Sequence, residues 1–168
     1  KELGFEVGVT GYFVTAQVAG SVGSGLLLSY VQDRWGPLRH MRILMVLAAV
    51  PPACALLAGL LQGAWLQAVF PLYLALYFFL GVAWTNASWP FLNWILEYAP
   101  DEQRPIYIGL TNTLAALTMI APTIGGVLVR SVSYPAAFIT SIGFALLSLV
   151  LSFSLPSPRD GAKYQEAD

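Results

Sequence analysis

The sequence predicts an all-α membrane protein, a bundle of five transmembrane helices, and three observations carry that prediction. First, 57% of the 168 residues are hydrophobic and only 10% are charged, against roughly 25% charged in a soluble domain. Second, the charges leave long gaps at Val7–Gln32, Ile43–Leu96, Pro105–Val129 and Ser131–Pro158. Crossing a bilayer takes about 20 apolar residues as a helix. Third, the basic residues gather at alternate turns.

The first, third and fourth gaps each hold one helix and the second holds two. Gln62-Gly63-Ala64-Trp65-Leu66-Gln67 divides that second gap, with glutamines and a tryptophan suited to a membrane–water interface. The expected spans are 7–31, 41–61, 67–96, 106–129 and 134–155. They make one bundle, 1–155, followed by a polar, flexible tail, 156–168. Strands are excluded because open sheet edges cannot face lipid.

The first span is rich in small residues. Gly8, Gly11, Thr15 and Ala19, continued by Gly23, form a stripe along which another backbone can approach closely. Thr10, Gln17, Ser21 and Ser24 form a second, polar line. It reads either as helix–helix hydrogen bonding or as the lining of a pathway.

Asp33-Arg34-Trp35-Gly36-Pro37-Leu38-Arg39-His40-Met41-Arg42 follows, with three of the eight basic residues and the single histidine. Gly-Pro inside a charged decapeptide reads as a tight turn between two crossings. His40 reads as an ordinary loop residue. In the second span, Pro51-Pro52 removes backbone donors and predicts a kink. Cys54 lies alone among apolar residues, so it reads as a packed small side chain.

In the third span Asn86, Asn93 and Glu97 share one face at about 3.6 residues per turn, flanked by Trp89 and Pro90. Carboxamides are costly against lipid, so that face points inward. Pro90 frees a carbonyl one turn earlier, near Asn86. Pro105 suits the first turn of the fourth span, which carries Gly109, Asn112, Ala116 and Thr123 near one face. The fifth span has only serine, threonine and glycine breaks and reads as a supporting helix.

Turns on one side carry Arg34, Arg39, Arg42, Arg104, Arg159 and Lys163, and the other side carries Lys1 and Arg130. Six against two predicts a cytoplasmic C-terminus and a plasma (inner) membrane location. With an odd number of crossings Lys1 then lies outside, and the start lacks both methionine and a signal pattern. A fragment of a six-helix unit, its first helix upstream, is therefore expected. No basic stripe fits nucleic acid. No metal cluster, paired carboxylates or nucleophile–base pair marks an enzyme, and no cofactor motif is present.

With both charged loops in view, the chain resembles the major facilitator superfamily of secondary transporters. Asp33, Arg34, Gly36 and Arg39 match the family's loop motif, with Ser29 in place of its leading glycine and Pro37 in place of an arginine. Glu97, Pro100, Arg104 and Gly109-Leu110-x-Asn112 match its second loop. The match covers five of the six helices of one half. The degenerate first motif and the polar tail favour the C-terminal half. Pro122, Gly125 and Gly126 match part of an antiporter motif, but Ala121 replaces its glycine.

The resemblance implies a half of a transporter that moves a small solute by alternating access, with the other half as partner and lipid as solvent. It marks Asp33, Arg34, Gly36, Arg39, Glu97 and Arg104 as a cytoplasmic gate. Gln17, Asn86, Trp89, Asn93 and Asn112 are expected along the substrate pathway, because they hydrogen-bond without fixed charge. No acidic residue lies at mid-membrane. The rival readings are a non-transporting membrane scaffold on the same helices and, further off, an integral membrane enzyme.

Overall fold

A computed structural model describes residues 8–61 and 66–159, and among them every regular element is helical. The Gln62–Trp65 part of the expected dividing turn, the first seven residues and the tail from residue 160 lie outside the described residues. Five segments are long and apolar enough to cross a membrane: Val9–Trp35, Pro37–Leu61, Ala68–Tyr98, Asp101–Ser131 and Tyr134–Ser152.

Only the first and last of these are single helices, α1 (Val9–Trp35) and α8 (Tyr134–Ser152). The second divides at Ala49 into α2 (Pro37–Ala48) and α3 (Val50–Leu61). Pro51 and Pro52 account for the break, since each lacks the N–H that would bond one turn back. The third is α4 (Leu66–Thr85) and α5 (Trp89–Tyr98), parted at Asn86–Ser88 one turn before Pro90. The fourth is α6 (Arg104–Leu117) and α7 (Ala121–Ser131), joined by a tight turn at Thr118–Ile120. Pro122 denies Thr118 its usual donor there. α8 begins at Ser133, whose side chain accepts from the Ala136 N–H, with Pro135 in the first turn.

The turn between the first two crossings is shorter than the charged decapeptide predicts. α1 runs on through Asp33 and Arg34 to Trp35, and α2 starts at Pro37. Gly36 alone reverses the chain, at φ 87°, and its N–H donates to the Gln32 carbonyl at 2.8 Å. With ψ at 164° this positive-φ, extended conformation is open essentially only to glycine and costs a residue with a Cβ about 1–3 kcal/mol.

α1 packs against α4, and α4 also packs against α3; α8 closes over α2 and α3. The buried face of α1 is Phe13, Gly20, Ser24, Leu28 and Gln32. Gly20 lies directly on the α4 backbone, where a Cβ would run into the Phe78 carbonyl. Reciprocally, a Cβ on Gly81 would run into the Gln17 carbonyl. The expected stripe of Gly8, Gly11, Thr15 and Ala19 is a different face from this one, and among the described residues no helix packs on it. Those residues are exposed, with open space where a Cβ would stand at either glycine. Close approach needs a small residue on both helices at one level, and among the described residues the Gly20 face of α1 is the one that meets such a partner. Ser21 and Ser24 serve this contact: the Ser21 hydroxyl donates to the Gly81 carbonyl at 3.2 Å.

Enlarging either crossing glycine tests the contact. Gly20→Leu and Gly81→Val each force the helices apart and lose about 3 kcal/mol or more of stability, read by unfolding of the purified protein in detergent. Gly11→Leu, pointing into open space, leaves the transition within about 0.5 kcal/mol of wild type.

Candidate functional site

Two hydrogen-bonded pairs run along the seam between α1 and its neighbours. The Asn86 carboxamide nitrogen donates to Ser24 Oγ at 3.0 Å and to the Val82 carbonyl at 2.9 Å. Asn86 is buried, so a polar group at the break of the third crossing is satisfied by α1 and by its own helix. Farther along, His40 Nδ1 lies 3.0 Å from Gln32 Oε1. With the carboxamide oxygen accepting, the ring proton sits on Nδ1. The loop assignment of His40 is corrected by its burial, 0% exposed. Because α2 begins at Pro37, His40 occupies the first turn of a packed helix, turned toward α1.

The basic end of the bundle assembles around a residue that the motif residues do not include. Arg159, in the expected tail, hydrogen-bonds both Glu97 oxygens, Nε to Oε2 at 3.1 Å and Nη2 to Oε1 at 3.0 Å. Its Nη1 donates to the Asp33 carbonyl at 3.0 Å, in the last turn of α1. The hydrogen bonds to Glu97 push the guanidinium up from its ordinary pKa; partial burial opposes them, and the Glu97 and Asp33 charges add to them. Arg159 is thus a permanent cation placed on the negative end of α1. Gly36 leaves room for it: a Cβ there would stand 3.2 Å from Arg159 Nε. Pro156–Arg159 lies against the bundle, its Pro156 carbonyl accepting from Trp94 Nε1 at 3.2 Å.

The other motif residues make separate contacts. Arg34 donates to the Tyr30 hydroxyl at 3.0 Å, and Arg39 stacks over Trp35 at 5.4 Å. Arg104 pairs with Asp101 at 2.9 Å within its own turn. Arg42, outside the motif, donates to the Ser152 carbonyl at 3.0 Å, at the last residue of α8. The structure thus brings Asp33, Gly36 and Glu97 together through Arg159, and leaves Arg34, Arg39 and Arg104 apart from that contact. One sequence signal could have found Arg159, although the segment reads as a flexible tail: the prolines at 156 and 158 stiffen the stretch leading to it.

A cavity of about 600 Å³ opens between α5 and α6. Its walls include Phe91, Leu92 and Ile108, with polar groups from Ser88, Thr111, Asn112 and Thr118. Ser88 lies in the break between α4 and α5, and Thr118 in the turn between α6 and α7, so both helix interruptions border one space. Counting from Tyr98 at the basic end, Ser88 is about 15 Å along the helix axis, near the middle of a hydrocarbon core about 30 Å thick. Of the expected pathway residues only Asn112 lines this cavity. Trp89 is exposed beside it and Asn93 half-buried on α5, while Gln17 lies at the α1–α4 crossing and Asn86 in the seam with Ser24.

Five apolar crossings, proline-broken helices and a polar break near mid-span define a multi-pass helical membrane protein. The family model of the Major Facilitator Superfamily matches residues 1–168, and the chain belongs to that family. Its members are transporters, not enzymes; they carry small-molecule substrates and sit in a lipid bilayer. No curated protein and no solved structure matches the chain.

Removing the buried carboxamide at the break isolates its contribution. Asn86→Ala leaves Ser24 Oγ and the Val82 carbonyl without their donor and costs about 1–3 kcal/mol. Ser24→Ala costs less, because Asn86 keeps its bond to Val82. Unfolding of the two variants and the double mutant, compared as a cycle, reads the difference.

Proposed function

We propose that this chain is most of one half of a secondary transporter that moves a small solute by alternating access. The observation that carries the proposal is the cavity at the two helix interruptions. Broken helices at mid-bilayer leave backbone groups unpaired, which is tolerated only where they are buried in protein or line a hydrated space. The cavity wall holds hydroxyl and carboxamide groups and no charge. It therefore suits a solute bound by hydrogen bonds and apolar contact, with Asn112 as the strongest polar contact and Trp89 and Asn93 at its approach.

The basic end faces the cytoplasm of a plasma (inner) membrane cell surface, by the excess of arginine there. Arg159, Glu97 and the end of α1 form the latch that holds the cytoplasmic ends together. The ion pair is bidentate, yet both side chains are more than a third exposed. Exposed pairs contribute about 0–1 kcal/mol, a strength that thermal motion and a bound solute can overcome. Asp33, Arg34, Arg39 and Arg104 act around that centre, and Gly36 admits Arg159 to it. A scaffold on the same helices has no use for a latch of this kind or for a cavity lined by hydroxyl and carboxamide groups near mid-span.

Thiol labelling separates the two. In the full-length protein in sealed vesicles, a cysteine at position 112 is expected to react with a membrane-impermeant maleimide added from either side, one side at a time. Arg159→Ala and Glu97→Gln are each expected to raise labelling from the cytoplasmic side about two- to fivefold, in line with a loss below about 1 kcal/mol. Protection from both sides would end the transport reading; equal labelling in wild type and both latch variants would end the latch.

A further inference from the structure

His40 is fully buried, and neither the solute cavity nor the Arg159 contact uses it. Its Nδ1 is bonded to Gln32. The Asn86 side chain lies near the ring, yet among the described residues no atom meets Nε2 at hydrogen-bond geometry and that nitrogen is buried. α2 packs against α1, α3, α4, α5 and α8. The titratable and charged groups those elements bring are Tyr12, Tyr30, Asp33 and Arg34 from α1, Cys54 from α3, Tyr73 and Tyr77 from α4, and Glu97 and Tyr98 from α5. Arg39 and Arg42 stand on α2 itself, and Arg159 follows α8, which brings Tyr134 at its far end. None of the charged ones hydrogen-bonds the ring: Arg34 is engaged with Tyr30, Arg39 with Trp35, Arg42 with the Ser152 carbonyl, and Arg159 with Glu97.

We propose that His40 is a proton-operated clamp on the turn at Gly36. As a neutral ring it donates Nδ1–H to Gln32 and ties the first turn of α2 to the last turns of α1. A proton taken from water binds the Nε2 lone pair and turns the ring into a cation with a second N–H donor. Among the described residues no acceptor stands at hydrogen-bond geometry to that donor, and a buried charge without a full set of partners is strongly unfavourable. The ring then gains by reaching water, and the seam between α1 and α2 loosens. Acidification of the surrounding water raises the supply of that proton, so the tie weakens as pH falls. Its position, four residues beyond Gly36 and eight beyond Gln32, places the response next to the seat of Arg159. The clamp goes beyond the proposed transport cycle, and its test needs no solute.

Hydrogen exchange on the full-length protein in lipid nanodiscs reads it directly. The peptide Tyr30–Ile43 is followed between about pH 5.5 and 8, with rates corrected for the intrinsic pH dependence of amide exchange. Wild type is expected to show corrected exchange rising about tenfold on acidification, as a single titration. His40→Gln keeps an N–H for Gln32 but cannot titrate, and its corrected exchange is expected to be flat. Gln32→Glu places a carboxylate against the ring and is expected to move the wild-type midpoint to higher pH; it decides the matter if His40→Gln does not fold. A flat wild type, an undiminished response in His40→Gln, or an unmoved midpoint in Gln32→Glu would overturn the proposal.

Discussion

Two helices of the bundle meet backbone on backbone, where Gly20 of α1 faces Phe78 of α4 and Gly81 of α4 faces Gln17 of α1. In lipid no solvent drives apolar helices together, so association depends on dispersion and short polar contacts, both of which need near approach. Two glycines at one level supply it. Everything farther along α1 follows from that register. One turn on, Ser24 comes within reach of Asn86. Two further turns on, Gln32 meets His40, and the helix then ends at a glycine that leaves space for Arg159. Phe13 extends the same face the other way, stacked on Tyr77 of α4 at 5.1 Å.

The basic end obeys a second constraint. α1, α5 and α8 all end there, each with carbonyls that have no partner in the helix. Arg159 donates to the Asp33 carbonyl and Arg42 to the Ser152 carbonyl, so two arginines answer the ends of two helices as well as the charge of Glu97. The same positive charge that orients a chain in the membrane is thus spent on holding helix ends. This joins charge to packing: the arginines of this end also tie the last turns of α1 and α8 to their neighbours.

Much of this was legible in the residues. The five crossings follow from charge-free length. Proline 90 marked the break at Asn86–Ser88, and prolines 51 and 52 the kink after α2. The motif residues Asp33, Gly36 and Glu97 do converge. What could not be read was rotation. The small-residue stripe on α1 was sought along Gly8, Gly11, Thr15 and Ala19, but α4 packs on the line through Phe13, Gly20 and Ser24. His40 passed for a loop residue because one glycine, not ten residues, makes the turn. Arg159 passed for a tail charge because its partner Glu97 stands 62 positions earlier.

By itself, then, the sequence determined the solvent, the number of crossings and the places where helices break. Hydropathy, proline and glycine act within a few residues of where they stand, so a linear reading captures them. Only the tertiary structure decided which glycines touch, that the histidine is buried against Gln32, and which arginine meets Glu97. Those outcomes depend on the rotation of each helix about its axis and on the level at which its neighbour passes. Many rotations satisfy the same apolar pattern, and only the mutual packing of the helices selects among them.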